Sequence, residues 1–303
     1  MTRVVIVGEC MVELRRNSDA TTLTQSFSGD TYNAAVYLKR SAPSLDVRYL
    51  SAVGEDSISQ AMRAAWAVEG IDGSWTPALA GALPGLYLIE TDAAGERRFH
   101  YWRSAAAARR LFEDQRGRIL IDRAAEIDLL YFSGISLAIL PPEGRDQLLV
   151  AAAAVRRAGG RVAFDSNHRP ALWHDAREDR TWVERASRLA TIALPSLDDE
   201  AALFGDTDPV AIDRRLSGWG VEERVIKDGA NGAWLGLGPA GPVAIPPVAP
   251  VAVVDTTSAG DSFNGAYLGS RLTGGTPAAA AQAGAALASR VIATPGAIMP
   301  KEA

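Results

Sequence analysis

Asp255-Thr-Thr-Ser-Ala-Gly-Asp-Ser-Phe-Asn-Gly-Ala266 is the stretch on which the reading of this 303-residue chain turns. A strand-like run, Val243 to Val254, precedes it, and a helical pattern, Ser262 to Leu272, overlaps its end. Small residues and a glycine at such a junction let backbone N–H groups converge on one spot, and a helix start adds partial positive charge. Ser258, Ala259 and Gly260 are thus a candidate cradle for phosphate or another anion. Asp261 is the odd residue in it, because a carboxylate repels an anion. An acid held there is most simply a base that takes a proton from a group attacking the phosphate. The plainer alternative is an aspartate capping an ordinary helix, since Asp is a favoured cap. For the Ala-Gly-Asp triplet alone the two readings stand level.

Outward from that stretch, strand-length and helix-length runs alternate. Val4–Gly8, Leu129–Ser133, Arg161–Asp165, Thr191–Leu194, Arg224–Lys227 and Ala233–Leu237 read as strands. Tyr32–Arg40, Ser57–Glu69, Pro142–Arg157, Thr181–Leu189, Asp198–Phe204, Asp208–Ser217 and Ala278–Val291 read as helices. This rhythm predicts an α/β fold, a doubly wound, mostly parallel sheet flanked by helices. Two segments break it, Glu9 to Gly29 and Leu86 to Arg103. The second alternates like a hairpin about the turn Asp92-Ala-Ala-Gly95. Both are expected to leave the main sheet and form a small β lid on a single domain spanning residues 1–303.

Composition narrows the function. Net charge is −5, and the 31 basic residues form no long run, which argues against nucleic-acid binding. Cys10 is the single cysteine, so an internal disulfide is excluded, which suits a reducing cytoplasm; it reads as a small core residue rather than a nucleophile. Val4–Val7 is strand-length and soon followed by Glu9, so it is neither a signal peptide nor a membrane span. His100, His168 and His174 lack metal-site spacing, and no protein-held metal centre is expected. Gly236-Leu-Gly-Pro-Ala-Gly241 matches G-x-G-x-x-G, but Pro239, Pro242, Pro246 and Pro247 rule out the helix a dinucleotide site requires, leaving a hairpin turn.

Other candidates fall at the C-terminal ends of expected parallel strands, where ligands bind open α/β sheets. Asp165-Ser-Asn-His-Arg169 ends one strand, and Arg169 can fork onto a carboxylate or phosphate unless it is a plain surface arginine. Lys227-Asp-Gly-Ala-Asn-Gly232 ends another; its glycines allow close approach of a nucleotide, though a simple turn explains them nearly as well. Ser28-Gly-Asp-Thr-Tyr-Asn33 offers small polar groups at a helix start, or merely caps it. Tyr101-Trp-Arg103 is an aromatic strand with a cation, or an exposed lid strand without a ligand.

The full spacing Asp-Thr-x-Ser-Ala-Gly-Asp-x-x-x-Gly-Ala at 255–266 resembles the C-terminal signature of the ribokinase-like (PfkB) carbohydrate kinases, without mismatch. Along nearly its whole length the chain is similar to the bacterial 2-keto-3-deoxygluconate (KDG) kinases. The likeness rests on Val7–Leu14, Phe27–Thr31 with Asn33, Leu83–Asp92, Tyr101–Arg103, Tyr131–Leu140, Phe164–Pro170 and Leu197–Glu200. Gly-Leu-Tyr87 combined with Tyr-x-Arg103 and Asn-x-Arg169 separates that subgroup from ribokinases and fructokinases.

This resemblance implies a ribokinase-like fold and ATP-dependent phosphorylation of the KDG 6-hydroxyl, giving 2-keto-3-deoxy-6-phosphogluconate. It implies Asp261 as general base and an anion hole at Ser258, Ala259 and Gly260. Gly29, Asp30, Asn33, Tyr87, Tyr101, Arg103 and Arg169 match sugar-binding positions. Asn167, Lys227, Gly229 and Gly232, with Ala259 and Gly260, match nucleotide-binding ones. Mg²⁺ is implied as the companion of ATP, and a homo-oligomer joined through lid strands as the assembly. The chain departs from the family at Ser28-Gly29, where paired glycines are usual, at His168, usually tyrosine, and at Leu197-Asp-Asp-Glu200, which lacks the asparagine of an Asn-x-x-Glu motif. A PfkB-type kinase of another sugar or sugar acid is the alternative. A non-catalytic binding protein on the same fold is expected to lack Asp261 or the cradle, and both are present.

Overall fold

The computed structural model describes residues 1–17, 21–91, 97–248 and 252–301. In chain order, β1 (Arg3–Val7) is followed by β2 (Met11–Arg16), β3 (Leu23–Ser28), α1 (Asp30–Ser41), β4 (Asp46–Leu50), β5 (Val53–Gly54), α2 (Ser57–Val68) and β6 (Ala78–Leu79). Next come β7 (Leu86–Thr91), β8 (Arg97–Trp102), α3 (Ile119–Asp122), β9 (Leu129–Ser133), α4 (Gly134–Ile139), α5 (Pro142–Arg157) and β10 (Arg161–Asp165). Then follow α6 (Ala176–Ser187), β11 (Ile192–Ala193), α7 (Leu197–Phe204), α8 (Pro209–Gly218), β12 (Glu223–Lys227), β13 (Ala233–Gly236), β14 (Val243–Ile245), α9 (Ala259–Leu272) and α10 (Pro277–Ile292).

The main sheet runs β14-β13-β12-β11-β10-β9-β1-β4, parallel from β12 to β4 and antiparallel at β13 and β14. Its parallel strands are covered on both faces, which is why they read as nearly unbroken apolar runs. Val5, Val7, Leu130, Phe132, Val162 and Phe164 enter one core layer with α5 and α6. Val4, Ile6, Leu129, Tyr131 and Ala163 enter the other with α1, α9 and α10. From β1 the chain goes to β4 on one side and later to β9 on the other, so β1 and β9 flank the switch point where such sheets open a cleft.

The two segments that break the rhythm form a second sheet, β3-β2-β7-β8, in which only β2 and β7 run parallel. The expected turn Asp92–Gly95 lies outside the described residues. The expected strand Val243–Val254 is corrected: β14 stops at Ile245, where Pro246 and Pro247 remove two ladder donors. α6 starts at Ala176 rather than Thr181, because Asp175 caps it by accepting from the Arg177 and Glu178 amides.

Candidate active site

The helix at the cradle begins three residues earlier than expected, at Ala259. Ser258 adopts a left-handed conformation (φ 66°) that turns the chain directly into α9 at Ala259. Among the described residues, no backbone acceptor pairs with the amides of Gly260 and Asp261, as the first turn of a helix leaves its donors. Asp261 is the third residue of this turn, half-buried, and Asn33 Nδ2 on α1 donates to its Oδ2 at 2.9 Å. The two helices come this close because Gly265 has no side chain: a Cβ there would stand 2.6 Å from the Ala34 carbonyl oxygen. Burial pushes the Asp261 carboxyl up to about 7, with the neighbouring Asp30 charge adding to the rise and the Asn33 hydrogen bond opposing it.

Strand ends supply the floor. Asp30, the first residue of α1, accepts from Ser133 Oγ at 2.5 Å and from Asn167 Nδ2 at 2.9 Å, and burial raises its carboxyl as well. Asp165 accepts from Lys227 Nζ at 2.7 Å and from Asn264 Nδ2 at 2.6 Å. Lys227 Nζ also lies 3.5 Å from where a Gly260 Cβ would be, which sets a positive charge beside the cradle. Asn264 was not singled out from the sequence, although it stands one helical turn beyond Asp261, on the same face.

The second sheet supplies the facing wall. Tyr87 is buried and donates to Glu13; Arg103 donates to the buried Glu9; Tyr101 is half exposed beside Tyr87, their ring centroids 5.7 Å apart. Gly29 lets the helix start press against the β1–β2 connection, since a Cβ there would stand 2.1 Å from the Glu9 carbonyl oxygen. Arg169 is exposed, donates to the His168 carbonyl, and has Asp199 at 3.9 Å. All the residues nominated from the sequence except Gly232 line one cavity of about 1110 Å³. Gly232 lies in the β12–β13 turn with φ 99°, pressed against the Ile245 carbonyl.

The pfkB family carbohydrate kinase pattern matches residues 1–303. The chain belongs to that family. It is 42% identical to the 2-dehydro-3-deoxygluconokinase of Escherichia coli (strain K12), over 99% of this chain and 98% of that one. It is 43% identical to the enzyme of the same name from Dickeya dadantii (strain 3937), over 99% of this chain and 97% of that one. The crystal structure of a PfkB protein from Polaromonas sp. JS666 superposes with a TM-score of 0.85 at 26% identity, covering 97% of this chain and 96% of that one.

In this pfkB carbohydrate kinase, His168 points away from the cavity and pairs with Asp179 at 2.8 Å. Glu200, in the departing motif, is bound to Arg215 at 2.6 Å. Among the described residues no three His, Cys, Asp or Glu side chains converge as a ready metal site, and Asp165 is already paired. The residues present do not by themselves fit a protein-held Mg²⁺. No helix among them is long and apolar enough to cross a membrane.

Proposed function

We propose that the chain transfers the γ-phosphoryl group of ATP to the 6-hydroxyl of 2-keto-3-deoxy-D-gluconate, the substrate class named by its relatives in Escherichia coli and Dickeya dadantii. The observation that carries this reading is a single cavity holding both the Asp261 helix start and two arginines, Arg103 and Arg169. A sugar acid has a carboxylate for such guanidinium groups, and a neutral ketose has none. Asp261 takes the 6-hydroxyl proton as O6 bonds to the γ-phosphorus in line; the bond from that phosphorus to the bridging oxygen breaks, and ADP leaves with the electron pair. With its carboxyl held near neutrality by burial, Asp261 is matched to receiving a proton at physiological pH. The first-turn amides and Lys227 hold the charge spread over the phosphoryl oxygens. Mg²⁺ arriving with ATP would neutralise charge on the nucleotide phosphates, and no residue of this chain is assigned as its ligand.

Sugar contacts fall to Gly29, Asp30, Asn33, Tyr87, Tyr101, Arg103 and Arg169, and nucleotide contacts to Asn167, Lys227, Gly229 and the Gly232 turn with Ala259 and Gly260. The second sheet acts as a lid on one kinase domain. Its edge strand β8 leaves Phe99, Tyr101 and Trp102 at 40%, 53% and 59% exposure, which favours pairing with a second copy of the chain. The lone cysteine suits a cytoplasmic setting. A coupled ADP-release assay comparing KDG with fructose, ribose and gluconate tests the reading. Preference for KDG is expected; turnover of a neutral sugar with none of KDG overturns it.

A further inference from the structure

Glu9 follows β1 at the switch point, lines the cavity, and is 1% exposed. It accepts a hydrogen bond from Arg103 Nη2, just beyond the end of β8, and so links the main sheet to the second one. The Arg103 side chain is 12% exposed, so the pair sits where water screens it little. Among the described residues, Glu9 is the one hydrogen-bond partner of the Arg103 side chain, and Arg103 the one partner of the Glu9 side chain. Among the described residues, Glu9 Oε1 and Arg103 Nε are both buried without a hydrogen-bond partner, and the guanidinium also lies over the Tyr101 ring, 5.9 Å from its centroid. Gly85 leaves them room: a Cβ there would stand 2.5 Å from Glu9 Oε1 and 3.2 Å from Arg103 Cβ. Burial raises the Glu9 carboxyl while the Arg103 charge opposes the rise.

We infer that Glu9 is a positioning residue: it holds the Arg103 guanidinium in one orientation toward the sugar and ties the second sheet to the end of β1. The hydrogen bond of the Glu9 side chain goes to Arg103, so its effect on the sugar is carried by that guanidinium. The inference rests on the sugar-acid reading of the cavity.

Glu9→Gln keeps the side chain's size and removes its charge. In the ADP-release assay, with KDG and Mg·ATP varied in turn, the KM for KDG is expected to rise at least about tenfold, the scale of a small misplacement of a binding group. The KM for ATP and kcat should stay within about threefold of wild type. In an Arg103→Gln background the same change should add less than about twofold, because the group it positions is gone. A full effect in both backgrounds, or a loss of kcat with KM for KDG unchanged, overturns the inference. Should Glu9→Gln not fold by circular dichroism, Glu9→Asp takes its place with the same split expected. A wild-type enzyme inactive on KDG but active on another sugar contradicts the sugar-acid reading alone, and the KM split is then read on that sugar.

Discussion

Asn33→Ala removes the hydrogen bond that Asp261 Oδ2 receives at 2.9 Å. Burial and the Asp30 charge already hold the Asp261 carboxyl at about 7, and the Asn33 bond, ahead of the Lys227 charge, restrains the rise. A hydrogen bond to a charged group contributes about 1.5–3 kcal/mol. At about 1.4 kcal/mol per pKa unit, its loss lifts Asp261 by roughly one to two units, to about 8–9. A general base acts only when ionised, so the acid limb of kcat/KM moves up by the same amount. At pH 7 the ionised fraction falls from about one-half to between about one-tenth and one-hundredth, a loss of roughly 5- to 50-fold. Most of that loss returns by about pH 10. Some does not, because Asn33 also accepts from Ser28 Oγ and the Gly29 amide, and the plateau will be lower. The assay is ADP release across about pH 5.5–10 for wild type and variant. An acid limb that stays in place, or moves down, refutes the assignment of Asp261 as the titrating base.

Asp261→Asn should stabilise the fold at pH 8. With a folded pKa of about 7, above the usual carboxylate range, folding of wild type takes up a proton between these values, so wild-type stability falls as pH rises through that window. The gap in Tm between variant and wild type should therefore widen from about pH 4 to pH 8, and a gap that narrows contradicts the raised pKa. Lys227→Met leaves Asp165 without its cation and the cradle without a neighbouring charge; a fall in kcat of about 10²-fold is expected by steady-state assay, and less than threefold counts against its role. Gly265→Ala forces α9 off α1 and should cost about 1–3 kcal/mol in urea unfolding, together with a drop in kcat as Asn33 and Asp261 part. Unchanged stability would mean that the close approach is not needed.

Legibility followed locality. β9 and β10 can be bounded to the residue, Leu129–Ser133 and Arg161–Asp165, because covered faces leave an apolar run that ends on a polar side chain at the cleft. β4 escapes such reading, since Asp46 and Arg48 at the sheet edge interrupt the run and spend themselves on ion pairs, Asp46 with Arg3 at 2.7 Å. The cradle is legible because its parts are consecutive. Asn264 and Glu9 are not, since the groups that give them meaning, Asp165 and Arg103, lie 99 and 94 residues away. Gly232, nominated with its neighbour Gly229, has a positive φ that shapes the turn between β12 and β13.

The most direct test is the identity of the product. Wild-type protein incubated with Mg·ATP and KDG is followed by ³¹P and ¹H NMR, with Asp261→Asn alongside. A new phosphate monoester coupled to the C6 protons, formed by wild type and at least about 10²-fold slower in the variant, is the predicted result. Phosphate on another carbon, unreacted KDG beside a phosphorylated neutral sugar, or undiminished transfer by Asp261→Asn would contradict it.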